Sequence, residues 1–211
     1  MHKPLVVFDF DGTLADTFQL FLKTFDAAAK IYGFRAFDRE RMDLLRTMEA
    51  SDVLRHHGVP FWKLPAIART THQFMAREIE GVSLVQGLGT ALESLHEAGY
   101  TLAILTSNSR QNVDGVLGEE RTRLFSHFEC GVSILTKRQS LRKVMRALGS
   151  SHEHTSFVGD ELRDLRAAKG LGVRFGAVAW GFNSMDSLIA HGAEDHFHSP
   201  LDLTRRFCEG R

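Results

Sequence analysis

Short apolar runs alternate with helix-period segments over most of this chain, and that alternation limits its folds more than any other feature. The clearest runs are Leu5–Phe10, Tyr100–Leu105, Thr155–Val158 and Arg174–Trp180, each flanked by Gly, Asp, Ser or Asn; a weaker one is Cys130–Leu135. Between them, apolar residues recur at helical spacing. Leu92, Leu95 and Ala98 share one face before Gly99. Leu141, Val144, Met145 and Leu148 do so before Gly149, and the segment Asp164–Lys169 stops at Gly170. Strands separated by helices predict βαβ units and a parallel sheet covered on both faces, an α/β Rossmann-like core.

One stretch breaks the rhythm. From residue 15 to residue 83 there is helical spacing (Phe18, Phe21, Leu22, Phe25, Ala28, Ala29; then Met42 and Leu45; Val53 and Leu54; Ile67 to Ile79) and no strand pattern, with Pro60 and Pro65 bracketing a break. The expectation is a core made of residues 1–14 and 84–211 carrying an all-helical insert over 15–83. A chain of 211 residues with 43% hydrophobic content can support that arrangement.

Bulk chemistry excludes several classes. Lys+Arg and Asp+Glu both number 26, so the formal charge is zero, and the basic excess of a nucleic-acid binder is absent. No segment approaches the ~18 continuous apolar residues of a membrane helix. The two cysteines, Cys130 and Cys208, lack metal-site spacing. Residues Met1 to Pro4 leave no room for a secretory leader before the first apolar run, so a reducing cytoplasmic setting is expected. The histidine pairs (His56 with His57, His152 with His154, His196 with His198) have no cysteine or carboxylate at zinc-site spacing.

The first strand ends abruptly in two acids, Asp9 and Asp11, followed by Gly12 and Thr13. An Asp-Gly turn would account for Asp11 and Gly12 alone. It does not account for Asp9, which falls inside the apolar pattern where a carboxylate needs a partner. Open parallel sheets bind ligands beyond the carboxyl ends of their strands. Other strand ends here supply Thr106-Ser107-Asn108 and Gly159-Asp160-Glu161, with Asp164 beyond, and Lys137 precedes the helix near Gln139. Carboxylates converging from two strands repel unless a cation neutralises them, and hard oxygen ligands point to Mg²⁺. A hydroxyl, a lysine and backbone N–H groups make a phosphate cradle.

With these residues in view, the sequence resembles the haloacid dehalogenase superfamily, in its phosphatase branch. Asp9-Phe10-Asp11-Gly12-Thr13 matches the first motif of that family, Ser107 the second, Lys137 the third, and Gly159-Asp160 with Asp164 the fourth. The pattern is similar to the phosphoglycolate phosphatase-like subgroup, whose helical cap is inserted after the first motif.

The resemblance implies Mg²⁺-dependent hydrolysis of a small phosphorylated metabolite through an aspartyl-phosphate, with no nucleic acid or membrane as partner. Asp9 would be the nucleophile and Asp11 the general acid and base. Thr13, Ser107, Asn108 and Lys137 would bind the phosphoryl group. Asp9, the backbone carbonyl of Asp11 and Asp160 would hold the metal, with Asp164 behind them orienting water or Lys137. Thr106 competes with Ser107 as the hydroxyl, and Ser107 could instead cap a helix starting at Arg110. Lys143 competes with Lys137, because Arg138 stands where the family usually has proline. Glu161 could replace either carboxylate beside it or lie on the surface. In the insert, Arg46 could contact an anionic substrate or be a solvated arginine at a helix end, and Phe18, Phe21 and Phe25 could line a pocket or form the insert's own core. A phosphomutase of the same superfamily and a non-enzymatic binding role are the alternatives; Asp11 argues against dehalogenation and phosphonate cleavage. Monomer and homodimer both remain open.

Overall fold

The computed structural model describes residues 4–133 and 136–209, with His72 by its backbone alone. Its strands are β1 (Leu5–Phe8), β2 (Thr101–Leu105), β3 (Phe125–Glu129), β4 (Thr155–Gly159), β5 (Arg174–Val178) and β6 (Asp195–Phe197). They form one sheet in the order β3-β2-β1-β4-β5-β6. Every adjacent pair is parallel, with Leu5 level with Thr101 on one side and Thr155 on the other. β1 is thus central, and the chain reverses direction across the sheet on its two sides. That reversal opens a crevice beyond the carboxyl ends of β1, β2 and β4.

Both faces of β1 are buried, which is why it reads as a continuous apolar run. Leu5 and Val7 point into one core layer with Leu141 and Val144 of α7 (Lys137–Ala147) and Leu165 of α8 (Leu162–Lys169). Val6 and Phe8 point into the opposite layer, with Leu92 of α5 (Leu88–Glu97), Val113 of α6 (Arg110–Thr122) and Leu203 of α10 (Pro200–Thr204). α9 (Met185–Ala190) adds Leu188 to the first layer.

Two edge elements depart from the sequence reading. The expected strand Cys130–Leu135 is not formed at residues 130–133, and residues 134 and 135 lie outside the described ones. The strand is β3, five residues earlier, and its interior is only partly buried. An edge strand pairs on one side and carries polar residues such as Ser126 and His127, so it lacks the apolar signature of a central one. β6, on the other edge, has three residues and the pattern buried, exposed, buried. The last expected run, to Trp180, ends as a strand at Val178.

Residues 18–81 contain α1 (Phe18–Tyr32), α2 (Met42–Leu45), α3 (Ala50–His56), α4 (Leu64–Glu78) and short 3₁₀ turns, with no strand. Where this segment leaves and rejoins the sheet domain, Ala15 bridges Leu84 antiparallel. There Asp16 N donates to Ser83 O at 3.0 Å and Val85 N to Leu14 O at 2.9 Å. The helices share their own apolar cluster around Leu22, Phe25, Phe37, Leu45 and Val53, and Phe182 from the loop after β5 packs against it. Among the described residues, no helix is long and apolar enough to cross a membrane.

Candidate active site

The two-residue period of a strand carries Asp9 to the same face as Leu5 and Val7. That face is covered by α7 and α8, and the first turns of these helices hold Lys137 and Asp164. All three side chains are buried. Lys137 Nζ lies 3.0 Å from Asp9 Oδ1 and also contacts Asp164 Oδ1. Burial works against the Lys137 charge, but Asp164 and then Asp9 outweigh it and hold the ammonium above its ordinary pKa. The competing Lys143 is exposed and pairs with Glu129 at 2.8 Å.

After β1 the chain turns sharply. Phe10 O accepts from the backbone N–H groups of Thr13, Leu14 and Ala15 at 3.3, 2.9 and 2.9 Å. Gly12 sits at φ 72°, where a side chain is strained. A Cβ there would also stand 2.4 Å from Asp160 Oδ2. The turn thereby presses its backbone onto the end of β4, where Asp160 is.

Asp160 has both carboxylate oxygens engaged: Thr13 Oγ1 donates to Oδ1 at 2.9 Å, and Phe182 N to Oδ2 at 2.7 Å. Burial raises its pKa well above the usual carboxylate range, and Glu161, Asp9 and Asp164 push the same way. Asp164 is raised to about 7 by burial, with Lys137 pulling it back. Arg163 lies beside this group, paired with Glu161; burial opposes its charge, but the carboxylates, Glu161 first, keep it protonated.

Asp11 stands apart from that network. Asn108 Nδ2 donates to its Oδ1 at 3.1 Å and its Oδ2 at 3.3 Å. Asn108 is itself locked, because its Oδ1 accepts from Ser109 N and from Asn112 Nδ2, both at 2.8 Å. Burial and then Asp9 raise the Asp11 carboxyl to about 6, against the Asn108 hydrogen bond.

The residues named from sequence therefore fall into distinct positions. Asp9, Asp160, Asp164 and Lys137 converge, and Asp11 and Ser107 line the adjacent cavity. Thr106, the competitor of Ser107, is buried with its hydroxyl accepting from Asn108 N at 2.9 Å. The helix N-cap that Ser107 could have supplied belongs to Ser109. Thr13, expected on phosphate, gives its hydroxyl to Asp160, and the Asn108 side chain is turned to Asp11. Glu161 is largely buried rather than on the surface.

Arg46 requires a correction. Its Nε donates to Phe182 O at 3.0 Å and its Nη2 to Gly181 O at 2.9 Å. Instead of reaching for a substrate anion, it ties the helical segment to the loop after β5. The reason is local: that loop turns unpaired carbonyls outward, and a guanidinium fork meets several at once.

That loop is the part sequence reasoning missed. Trp180 Nε1 donates to Thr13 O at 3.0 Å, and Asn183 Nδ2 donates to Arg46 O and Met48 O, both at 2.9 Å. Asn183 Oδ1 accepts from Leu162 N at 2.9 Å, satisfying one of the orphan donors at the start of α8. The signal was the polar, glycine-containing stretch Gly181-Phe182-Asn183-Ser184 beyond an apolar strand.

Asp9, Asp160 and Asp164 each offer an oxygen within 4.8 Å of the others. Among the described residues, Asp9 Oδ2 has no hydrogen-bond partner, although it is buried. Three hard oxygen donors and an unsatisfied carboxylate oxygen suit a small divalent cation.

The profile of the haloacid dehalogenase-like hydrolases matches residues 6–178. The chain belongs to that family. It is 32% identical over 199 residues to the phosphoglycolate phosphatase of Synechococcus elongatus, covering 94% of each chain. It is 27% identical over 215 residues to the pyrophosphatase PpaX of Anoxybacillus flavithermus, covering 96% of each. In fold it is similar to a haloacid dehalogenase-like hydrolase from Streptococcus pneumoniae, with a TM-score of 0.81, 19% identity, and coverage of 98% of this chain and 99% of that one. The chain is thus an enzyme of the family's phosphatase branch, phosphoglycolate phosphatase-like in sequence.

Proposed function

We propose that this protein is a Mg²⁺-dependent phosphatase that hydrolyses a small phosphate monoester through a phosphorylated Asp9, in a cytoplasmic setting. The observation that carries the reading is the division of the carboxylates. Asp9 is locked against Lys137 at 3.0 Å, while Asp11 is held separately by Asn108 with a pKa raised to about 6. A nucleophile must stay ionised, and an acid–base group must change state near neutral pH; the two environments support those two tasks.

The chemistry then balances in two steps. An Asp9 oxygen attacks phosphorus, and the bond to the leaving oxygen breaks as Asp11 gives that oxygen its proton. Water then attacks the aspartyl-phosphate, Asp11 takes a proton from it, and Asp9 and inorganic phosphate are released. Lys137 supports the charge spread over the phosphoryl oxygens, the largest contribution in such transfers. Ser107, at the cavity wall, is suited to hold one of those oxygens. Mg²⁺ would be held by Asp9, Asp160 and the carbonyl of Asp11, and when bound it supplies charge neutralisation to the phosphoryl group. Thr13 and the N–H of Phe182 fix Asp160 for that task. The helical segment over residues 15–83 acts as a cap that excludes water, anchored by Arg46 and Asn183.

The test is phosphate release from a panel of esters at pH 7 with Mg²⁺ or with EDTA, for the native chain and Asp9→Asn. Release that needs Mg²⁺ and is lost in the variant is the expected result. Equal release by Asp9→Asn would overturn the assignment of the nucleophile.

A further inference from the structure

The cavity above Asp11 and Ser107 has a volume of about 240 Å³, and its two ends differ in chemistry. The floor is polar, with Asp11, Ser107, Asp160, Glu161 and Arg163. The far walls come from α1, α3 and α4 and from Phe182: Phe18, Phe21 and Phe25 on one side, Ile67 and Met75 on another. Among the described residues, the only polar side chains that the helical segment contributes to the wall are Thr17 and Thr71. Thr17 Oγ1 is already engaged by Gly12 N at 3.0 Å. The one cation on the wall among the described residues, Arg163, stands at the floor and is paired with Glu161.

From this we infer that the leaving group of the substrate is an uncharged apolar body, about the size of a single ring or a branched alkyl chain. The inference rests on the phosphatase reading above. With phosphorus at Asp9 and the leaving oxygen at Asp11, whatever is attached to that oxygen projects away from the floor, among the phenylalanines. A second carboxylate or phosphoryl group there would lose its water and meet, among the described residues, no unpaired cation and a single hydroxyl, that of Thr71. An apolar group would shed water at no such cost. The size follows from the volume: an apolar cavity of about 150 Å³ accepts benzene, so the space here holds a ring beside the phosphoryl group. Aromatic side chains in contact, such as Phe21 with Phe182 at 5.0 Å between centroids, provide edges and faces suited to another ring.

The experiment compares kcat/KM for four esters that all leave as primary alkoxides: benzyl phosphate, 3-methylbutyl phosphate, phosphoglycolate and glycerol 1-phosphate. The first two are expected to exceed the last two by about tenfold or more, the scale on which apolar pockets discriminate. Ala50→Phe, a half-buried wall position on α3 that narrows the chamber, is expected to lower the ratio of benzyl phosphate to phosphoglycolate by a similar factor. In parallel, calorimetry with Mg²⁺ present measures benzylphosphonate against phosphonoacetate, with the former bound tighter. Turnover that favours phosphoglycolate or glycerol 1-phosphate overturns the inference and leaves the phosphatase reading standing. Absence of turnover with benzylphosphonate still preferred overturns the phosphatase reading and keeps the apolar chamber. Absence of both overturns both.

Discussion

Replacing Asn183 by alanine tests how the helical segment is held to the sheet domain. Asn183 is buried, and its side chain makes three hydrogen bonds, from Leu162 N and to Arg46 O and Met48 O. Arg46 O keeps a second donor, Ser184 N at 2.9 Å, so the truncation strands mainly Leu162 N and Met48 O. At about 1 kcal/mol net for each hydrogen bond, the loss is about 3 kcal/mol, and more where water cannot enter. For a chain of this size that lowers Tm by about 6–12 °C. Urea unfolding of the native chain and the variant, followed by circular dichroism, measures it directly. A loss below about 0.5 kcal/mol would refute the claim that this side chain joins the two parts, because such a change is typical of an exposed surface position. Asn183→Asp sharpens the test. It keeps an acceptor for Leu162 N but turns a carboxylate toward the carbonyl oxygens of Arg46 and Met48. Its folded pKa would be raised, so its stability should fall as pH rises through that value. The aspartate variant should be the weaker of the two at pH 8 and approach the alanine variant at pH 5.

Three further outcomes follow from the same geometry. Lys137→Met leaves Asp9 and Asp164 buried without their shared cation, so phosphate release should drop by about a thousandfold or more, read by steady-state kinetics. Gly12→Ala meets both a φ of 72° and the Asp160 carboxylate, and should cost about 1–3 kcal/mol in urea unfolding, together with lost activity. Burial tends to raise the Asp195 carboxyl, but Arg174 and Arg206 more than offset it and hold the folded pKa below its ordinary value. Its contribution is therefore present above pH ~4 and lost as pH falls through the lower folded value. Asp195→Asn should thus lower Tm at pH 7 and differ less from the native chain near pH 3, measured by thermal scans across pH.

Much of the fold was legible because its central strands are buried on both faces. β1 and β2 read as near-continuous apolar runs, β4 and β5 keep a buried apolar centre (Phe157-Val158; Phe175, Ala177, Val178), and α5, α7 and α8 show the matching 3.6-residue spacing. The edge strands β3 and β6 escaped, since pairing on one side leaves room for polar residues. α6 was obscured by Gly115 and Gly118, the latter at φ 71° inside the helix. In the site, Asp9, Asp11 and Asp160 stood out because a carboxylate ending an apolar strand needs a partner. Arg46 misled: an arginine's sequence context does not tell whether its donors meet an anion or a set of backbone carbonyls.

By itself the sequence determined the alternation of strands and helices, the helical insert, and which strand ends carry acids, because these are properties of local period and short spacing. Only the tertiary structure decided which groups meet. Thr13 finds Asp160 across 147 positions, and Arg46 finds Phe182 across 136. The crossover that lays α7 and α8 on the Val7 face is what brings Lys137 and Asp164 to Asp9. The apolar chamber, too, exists only once α1, α3 and α4 close over the floor: phenylalanines at helical spacing can fill a core or line a space, and packing alone decides between the two.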